Sequence, residues 1–103
     1  MVTQGELWLL EAPNQKSRPA LVVTRDQAVP VLNNVIVAPV TRTVRDIPTC
    51  VPVGPEHGIE HESAVTFDNL AAVPKTLLTR RLGQLDAIGR ERMCAALRAV
   101  ADC

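Results

Sequence analysis

The chain has 103 residues, 47% of them hydrophobic, with a mean hydropathy of +0.10 and eleven basic side chains balancing eleven acidic ones. That length suits one domain (residues 1–103) with a core and excludes two, and no apolar run nears the roughly 20 residues that a membrane helix needs. A net charge of zero argues against a general polyanion binder, but not against a protein that holds a few phosphates locally.

Met1-Val2-Thr3-Gln4-Gly5-Glu6 lacks the basic start and apolar stretch of a signal peptide, so the expected location is the cytoplasm. Glu6-Leu7-Trp8-Leu9-Leu10 reads as a first strand, set off by Gly5 and by the turn-prone Ala12-Pro13-Asn14-Gln15. Two apolar runs rich in β-branched residues follow: Ala20 to Thr24, after Arg18-Pro19, and Val35 to Val40, closing on Thr41. Each has the length of a strand. The connection from Asp26 to Asn34 holds Pro30 and an Asn-Asn pair, with room for a short helical turn before the proline. Pro48 to Val53 alternates but carries two prolines, which suits a sheet edge. After the loop Gly54 to Gly58, Ser63 to Phe67 reads as a strand, Asp68-Asn69 as a tight turn and Leu70 to Val73 as its return. Arg80 to Leu85 is a last short strand. Asp86 is an N-cap by residue type, and beyond it Met93, Ala96, Leu97 and Val100 recur at helical spacing, which predicts a helix covering one face of the sheet. The sum is mostly β with a C-terminal helix: a strongly bent sheet or half-open barrel.

If the two apolar runs pair antiparallel with Arg18 opposite Thr41, Thr24 falls opposite Val35, and opposed residues share a face. That register sets a guanidinium beside a hydroxyl at one sheet edge, a pair able to hold a phosphate. A slip of one residue would send them to opposite faces. Charge is also unevenly spread. From Lys16 to Arg45 the basic residues are Lys16, Arg18, Arg25, Arg42 and Arg45 against Asp26 alone, whereas from Asp46 to Pro74 there are five acids and no Lys or Arg. Solvated loops of either sign account for this, and so does a local basic surface around Arg18.

Other chemistry is scarce. His57 and His61 have H-x-x-x-H spacing but flank Gly58 in a loop with no third ligand, so no metal is expected. There is no G-x-S-x-G, no phosphate-binding glycine loop and no kinase motif set. Cys50, Cys94 and Cys103 are odd in number without C-x-x-C spacing and read as reduced thiols, Cys50 and Cys94 as inert core ones. What remains is Arg18, Thr41 and the polar loop Asn14-Gln15-Lys16-Ser17.

Six segments stand in a distinctive order: Gly5-Glu6-Leu7-Trp8, Arg18-Pro19-Ala20-Leu21-Val22-Val23, Ala38-Pro39-Val40-Thr41, Ser63-Ala64-Val65, Val73-Pro74-Lys75 and Leu82-Gly83-Gln84-Leu85. In that order and spacing the chain resembles, from Gln4 to about Val100, the MazF/PemK family of toxin endoribonucleases from bacterial toxin-antitoxin pairs. The resemblance implies an SH3-like small barrel of the MazF/CcdB kind, a homodimer, and sequence-specific cleavage of single-stranded RNA, mRNA above all, with no metal or other cofactor. The family's catalytic residues are the Arg of the Arg-Pro step and the Thr of the Ala-Pro-x-Thr step, which carry over to Arg18 and Thr41. The ribose 2′-OH would attack the adjacent phosphate, leaving a 2′,3′-cyclic phosphate and a 5′-OH end. Arg18 would stabilise the charged pentavalent transition state and Thr41 would donate a hydrogen bond to a phosphate oxygen. RNA contacts are expected from Asn14, Gln15, Lys16 and Ser17, from Arg42 and Arg45, and from Asn69.

Two features depart from the family pattern. The loop before Arg18 is shortened and lacks the family's Gly-Ser-Glu with its assisting Ser; Ser17 stands directly beside Arg18. The usual Gln and Arg of the late hairpin are missing, with Asn69 and Ala71 or Ala72 near those positions, so the cleavage sequence does not carry over. The implied protein partner is a cognate MazE-like antitoxin whose acidic tail would lie across the basic loops around Arg18. The alternative is a non-enzymatic CcdB-like toxin that poisons DNA gyrase by binding. The Arg-Pro and Ala-Pro-x-Thr steps favour the nuclease.

Overall fold

Strands form where β-branched and aliphatic residues alternate between turn formers, and the computed structural model, which describes all 103 residues, has seven of them. They are β1 (Glu6–Leu10), β2 (Arg18–Val22), β3 (Asn34–Thr41), β4 (Cys50–Val53), β5 (Ser63–Thr66), β6 (Ala71–Pro74) and β7 (Leu78–Gln84), followed by one helix, α1 (Ala87–Val100). The order across the sheet is β4-β5-β3-β2-β1-β7, with β6 also on β3, and every pairing is antiparallel. The proline-bearing β4 is an edge strand, as its composition predicts.

β3 is the strand on which the sheet bends into a half-barrel. One side pairs with β2; the other pairs with β6 at Asn34 to Val37 and with β5 at Val40 and Thr41. The expected hairpin of residues 63–73 therefore does not form. Val40 opposes Val65 while Val37 opposes Ala71, so three steps along β3 match six along the other chain segment. The surplus is the helical turn Phe67–Asn69, looped out between β5 and β6. Its cause is Phe67: the turn drops this side chain, fully buried, into the core under α1, and burying it is worth about 2 kcal/mol or more. A two-residue turn would leave it outside.

Prolines sit where the ladders break. Val23 N donates to Ile36 O at 2.9 Å, and alternation from there would have Pro19 donate to Val40, which it lacks the N–H to do. Pro39 faces the other way, into the gap beside the looped-out turn. Pro19 thus ends the β2–β3 ladder for want of a donor, and Pro39 lies where no opposing strand asks for one. Thr24 takes over where the backbone ladder stops at the other end, its Oγ1 accepting Ile36 N at 2.7 Å.

The sheet buries both faces. On one, Leu7, Leu21, Ala38, Val51, Val65 and Phe67 pack with Met93 and Ala96 of α1. On the other, Ala20, Val22, Val35 and Val37 pack with Val2, Leu78 and Val29, the last from the turn-rich connection Asp26 to Val31. α1 starts as predicted, Asp86 Oδ1 accepting Gly89 N at 2.7 Å. Two expectations fail on it: Val100, the last residue of the predicted stripe, is exposed in the final turn, and Cys94, expected in the core, is exposed because one step on from buried Met93 turns it off the buried face. Cys50 is only half-buried.

Candidate active site

Side chains of β2 and β3 alternate in phase: Ala20 opposes Pro39, Leu21 opposes Ala38 and Val22 opposes Val37. Extended two residues, this register sets Arg18 across from Thr41, as the sequence predicts. The ladder itself stops short. Arg18 is held by Leu10 of β1, and Thr41 has turned away to Ala64 of β5. Pro19 and Pro39 mark the split.

The face shared by Arg18, Ala20, Val37 and Pro39 is only half covered. Val29 seals one end, and the open end is a groove of about 440 Å³. Ala20, Val37 and Pro39 form its floor; Leu10 and Ala12 make one wall, Ala71 and Val73 the other; Gln15, Arg18 and Asn69 are its polar groups. No carboxylate lines it. Arg18 is exposed and makes neither an ion pair nor a side-chain hydrogen bond; the two bound arginines are elsewhere, Arg81 on Glu6 and Gln84 and Arg90 on Gln4 O. A guanidinium with all five donors free at the mouth of an uncharged groove is suited to a phosphate oxygen pair.

The loop carrying Gln15 is anchored at its root. Glu11 N donates to Leu77 O at 2.9 Å and Thr79 Oγ1 donates to Glu11 Oε1 at 2.6 Å. Asn14 takes the left-handed conformation at φ 62°, which asparagine tolerates, and Gln15 N closes the turn on Ala12 O. Thr41 Oγ1 accepts Thr43 N at 3.1 Å, which leaves its O–H free to donate.

The structure thus brings Gln15, Arg18 and Asn69 into one groove, with Thr41 on the same face but outside the lining. Asn14, Lys16 and Ser17 are exposed in the loop beside it. Arg45 is exposed in the β3–β4 connection, and Arg42 lines a different cleft with Val40, Glu60 and Ser63, on the opposite side of β3. The sequence does not single out Ala71 and Val73 as groove wall, because a hairpin pairing β6 with β5 would have set them elsewhere. Leu70-Ala71-Ala72-Val73 is apolar throughout, so the sequence carries no local signal of which of these residues face the groove.

The two histidines do not converge. His57 is buried with Nδ1 accepting Gly54 N at 3.2 Å, whereas His61 is exposed, and no group of three His, Cys, Asp or Glu side chains is arranged to hold a metal. One ionisable group is shifted. Burial alone would raise the Glu6 carboxyl, but hydrogen bonds from Trp8, Arg81 and Thr3 outweigh it and hold it below its ordinary 4.5.

The family model described as the PemK-like, MazF-like toxin of type II toxin-antitoxin systems matches residues 3–101. The chain is 37% identical over 101 residues to the "Probable endoribonuclease MazF5" of Mycobacterium tuberculosis, covering 97% of this chain and 93% of that protein. Among solved structures it is similar to the "Mycobacterium tuberculosis toxin MazF-mt6", with a TM-score of 0.85 and 35% identity over 94% of this chain and 96% of that one. The fold is also that of an "Endoribonuclease in complex with its cognate antitoxin from Mycobacterial species", at a TM-score of 0.88 and 22% identity over 99% of this chain and 96% of that one.

Proposed function

Because this chain belongs to the PemK/MazF family of toxins of type II toxin-antitoxin systems, we propose that it is an endoribonuclease that arrests growth by cutting single-stranded RNA and is held in check by a cognate antitoxin. The observation that carries this reading to a site is the unpaired Arg18 guanidinium at the mouth of a groove without a carboxylate. Arg18 takes the scissile phosphate and stabilises the charge that builds on its non-bridging oxygens as the 2′-OH attacks. Thr41, its O–H free, donates to the same phosphate and fixes its orientation once substrate draws the two strand ends together. Gln15 and Asn69 offer neutral donors and acceptors to a base lying on the apolar floor, which supports selection among sequences. The proposed chemistry needs no metal, and the proposed place of action is the cytoplasm, where mRNA is met. A homodimer completes the reading. The gyrase-poison alternative finds no support, since the family match and the similar structures are of the PemK/MazF type.

Purified protein incubated with single-stranded RNA in excess EDTA is expected to leave 5′-OH and 2′,3′-cyclic phosphate ends. Arg18→Ala is expected to abolish cutting with an unchanged circular dichroism spectrum. Cutting that stops with EDTA, or that survives Arg18→Ala at the wild-type rate, overturns the assignment.

A further inference from the structure

The parting of β3 from β2 leaves a second cleft behind the Arg18 groove. Side chains alternate along a strand, so Arg18 and Thr41 face one way while their neighbours Pro19 and Val40 face the other. Pro19 has no N–H to offer Val40, and Val40 pairs instead with Val65 of β5. Pro19 and Val40, with buried Ile59, form the apolar part of a cleft of about 210 Å³. Its polar groups are Arg42, Glu60, His61 and Ser63. The groove and the cleft thus lie back to back, one sheet thickness apart, on either side of the strand ends that carry Arg18 and Thr41.

The polar groups of the cleft have a definite sense. Ser63 is 3% exposed and its hydroxyl hydrogen is donated to His61 O at 2.8 Å, so toward the cleft its Oγ can only accept. The Glu60 carboxylate is likewise an acceptor. His61 Nε2 lies 3.9 Å from Glu60 Oε1, too far for a hydrogen bond, and the imidazole remains half exposed. Arg42 makes neither an ion pair nor a side-chain hydrogen bond, although Glu60 shares its lining. An apolar surface beside an imidazole ring takes a flat heterocycle by stacking, acceptors take its N–H edge, and a free guanidinium at the rim takes the attached phosphate.

We infer that this cleft is a second nucleotide subsite: RNA bends over the strand ends at Arg18 and Thr41, the bases on either side of the scissile phosphate enter opposite faces of the sheet, and the cleft takes a base bearing an amino group and rejects uracil. This rests on the nuclease reading above. Adenine, cytosine and guanine each carry an exocyclic N–H donor for Ser63 Oγ and Glu60. Uracil brings two carbonyl oxygens, which meet acceptors with no hydrogen to share. Parting the bases also serves the reaction. Stacked neighbours hold the 2′-OH beside the phosphate, whereas splayed ones let it swing in line with the departing 5′-oxygen. The O2′–P bond then forms as the P–O5′ bond breaks, the 2′-OH proton passing to water and the 5′-oxygen taking one back.

The test cuts random-sequence RNA briefly with the full-length protein and sequences the new ends. At one position beside the cut, uracil is expected to be depleted at least about tenfold, the worth of one hydrogen-bonded base contact. Glu60→Gln alters an exposed side chain, adds an amide donor, and is expected to readmit uracil at that position alone. Arg42→Ala is expected to weaken RNA binding alike for all sequences and to reduce its salt slope by about one. A second measurement needs no cleavage: in NMR titrations, cytidine 5′-monophosphate is expected to shift the Ile59 and Ser63 amides and to bind at least about tenfold more tightly than uridine 5′-monophosphate, a difference that Glu60→Gln removes. Free choice of base on both sides of the cut, uracil depletion that survives Glu60→Gln, or equal binding of the two nucleotides overturns the subsite and leaves the nuclease reading standing. Selective binding of the cytidine nucleotide at Ile59 and Ser63 by a protein that never cuts RNA upholds the subsite and overturns the nuclease reading.

Discussion

Arg81 Nε donates to Glu6 Oε2 at 2.7 Å across seventy-five residues of chain, riveting β7 to β1 at the rim of the sheet. The carboxylate also accepts Thr3 N and Trp8 Nε1, so its ionised form is the one the fold stabilises. A carboxyl with a depressed folded value contributes stability that is fully present above its unfolded value, ordinarily 4.5, and is lost as pH falls through the folded one. Glu6→Gln should lower stability at neutral pH by about 1 kcal/mol, since Arg81 is half exposed and screened. The gap between wild type and Glu6→Gln in thermal melts should close steadily below pH 4.5. A gap that does not change with pH would contradict it.

Gly58 and Gly83 stand back to back. A Cβ on Gly58 would strike the Leu82 carbonyl, one on Gly83 would strike the His57 carbonyl, and Gly58 also sits at φ +87°. Gly83→Ala should therefore cost about 3 kcal/mol in urea unfolding, since backbone is struck and cannot rotate away. Gly89→Ala is the milder comparison, meeting only the side chains of Asp86 and Leu85.

Thr41→Val keeps the β-branched shape and removes the hydroxyl. The lost acceptor for Thr43 N should cost no more than about 1 kcal/mol. RNA cleavage should fall about a hundredfold in kcat with little change in KM, as expected for a donor that acts on the transition state. An equal loss in the melting curve and in binding would reduce Thr41 to a structural residue.

Asp86→Ala removes the acceptor for Gly89 N at the start of α1 and should destabilise the protein by about 1 kcal/mol, whereas Asp86→Asn should recover most of it. Met93→Ala, which empties part of the core under the same helix, should cost roughly 2–5 kcal/mol. Denaturant titrations of the three variants rank these contributions directly.

The elements themselves were legible because periodicity and punctuation agree along most of the chain. Gly5 and the Ala12 to Gln15 turn frame β1, the two prolines send β4 to an edge, and Asp86 opens α1. Even the β2–β3 register could be read, since alternation leaves few ways to bury both apolar runs. What escaped was non-local. Asp68-Asn69 resembles a hairpin turn, and nothing within ten residues says that Phe67 will be drawn under a helix twenty residues later, moving β6 to β3. The groove inherits that gap: Arg18 and the loop before it could be named, but the wall of Ala71 and Val73 could not, nor could the separate cleft that Arg42 lines. Cys94 and Val100 show that an apolar residue type one step off the stripe, or in the last turn of the helix, is exposed all the same.

β1 waits for a partner that is synthesised almost last. Until Leu78 to Gln84 leave the ribosome, the outer edge of Glu6 to Leu10 is bare, and until Asn69 to Val73 emerge the Arg18 groove has only one wall. Contacts this far apart in sequence make folding slow relative to a helical protein of the same size. A nascent chain therefore carries Arg18 long before the groove around it is complete, and if that groove is the site proposed above, a cell translating this message has an interval in which the toxin exists as polypeptide but not yet as a nuclease.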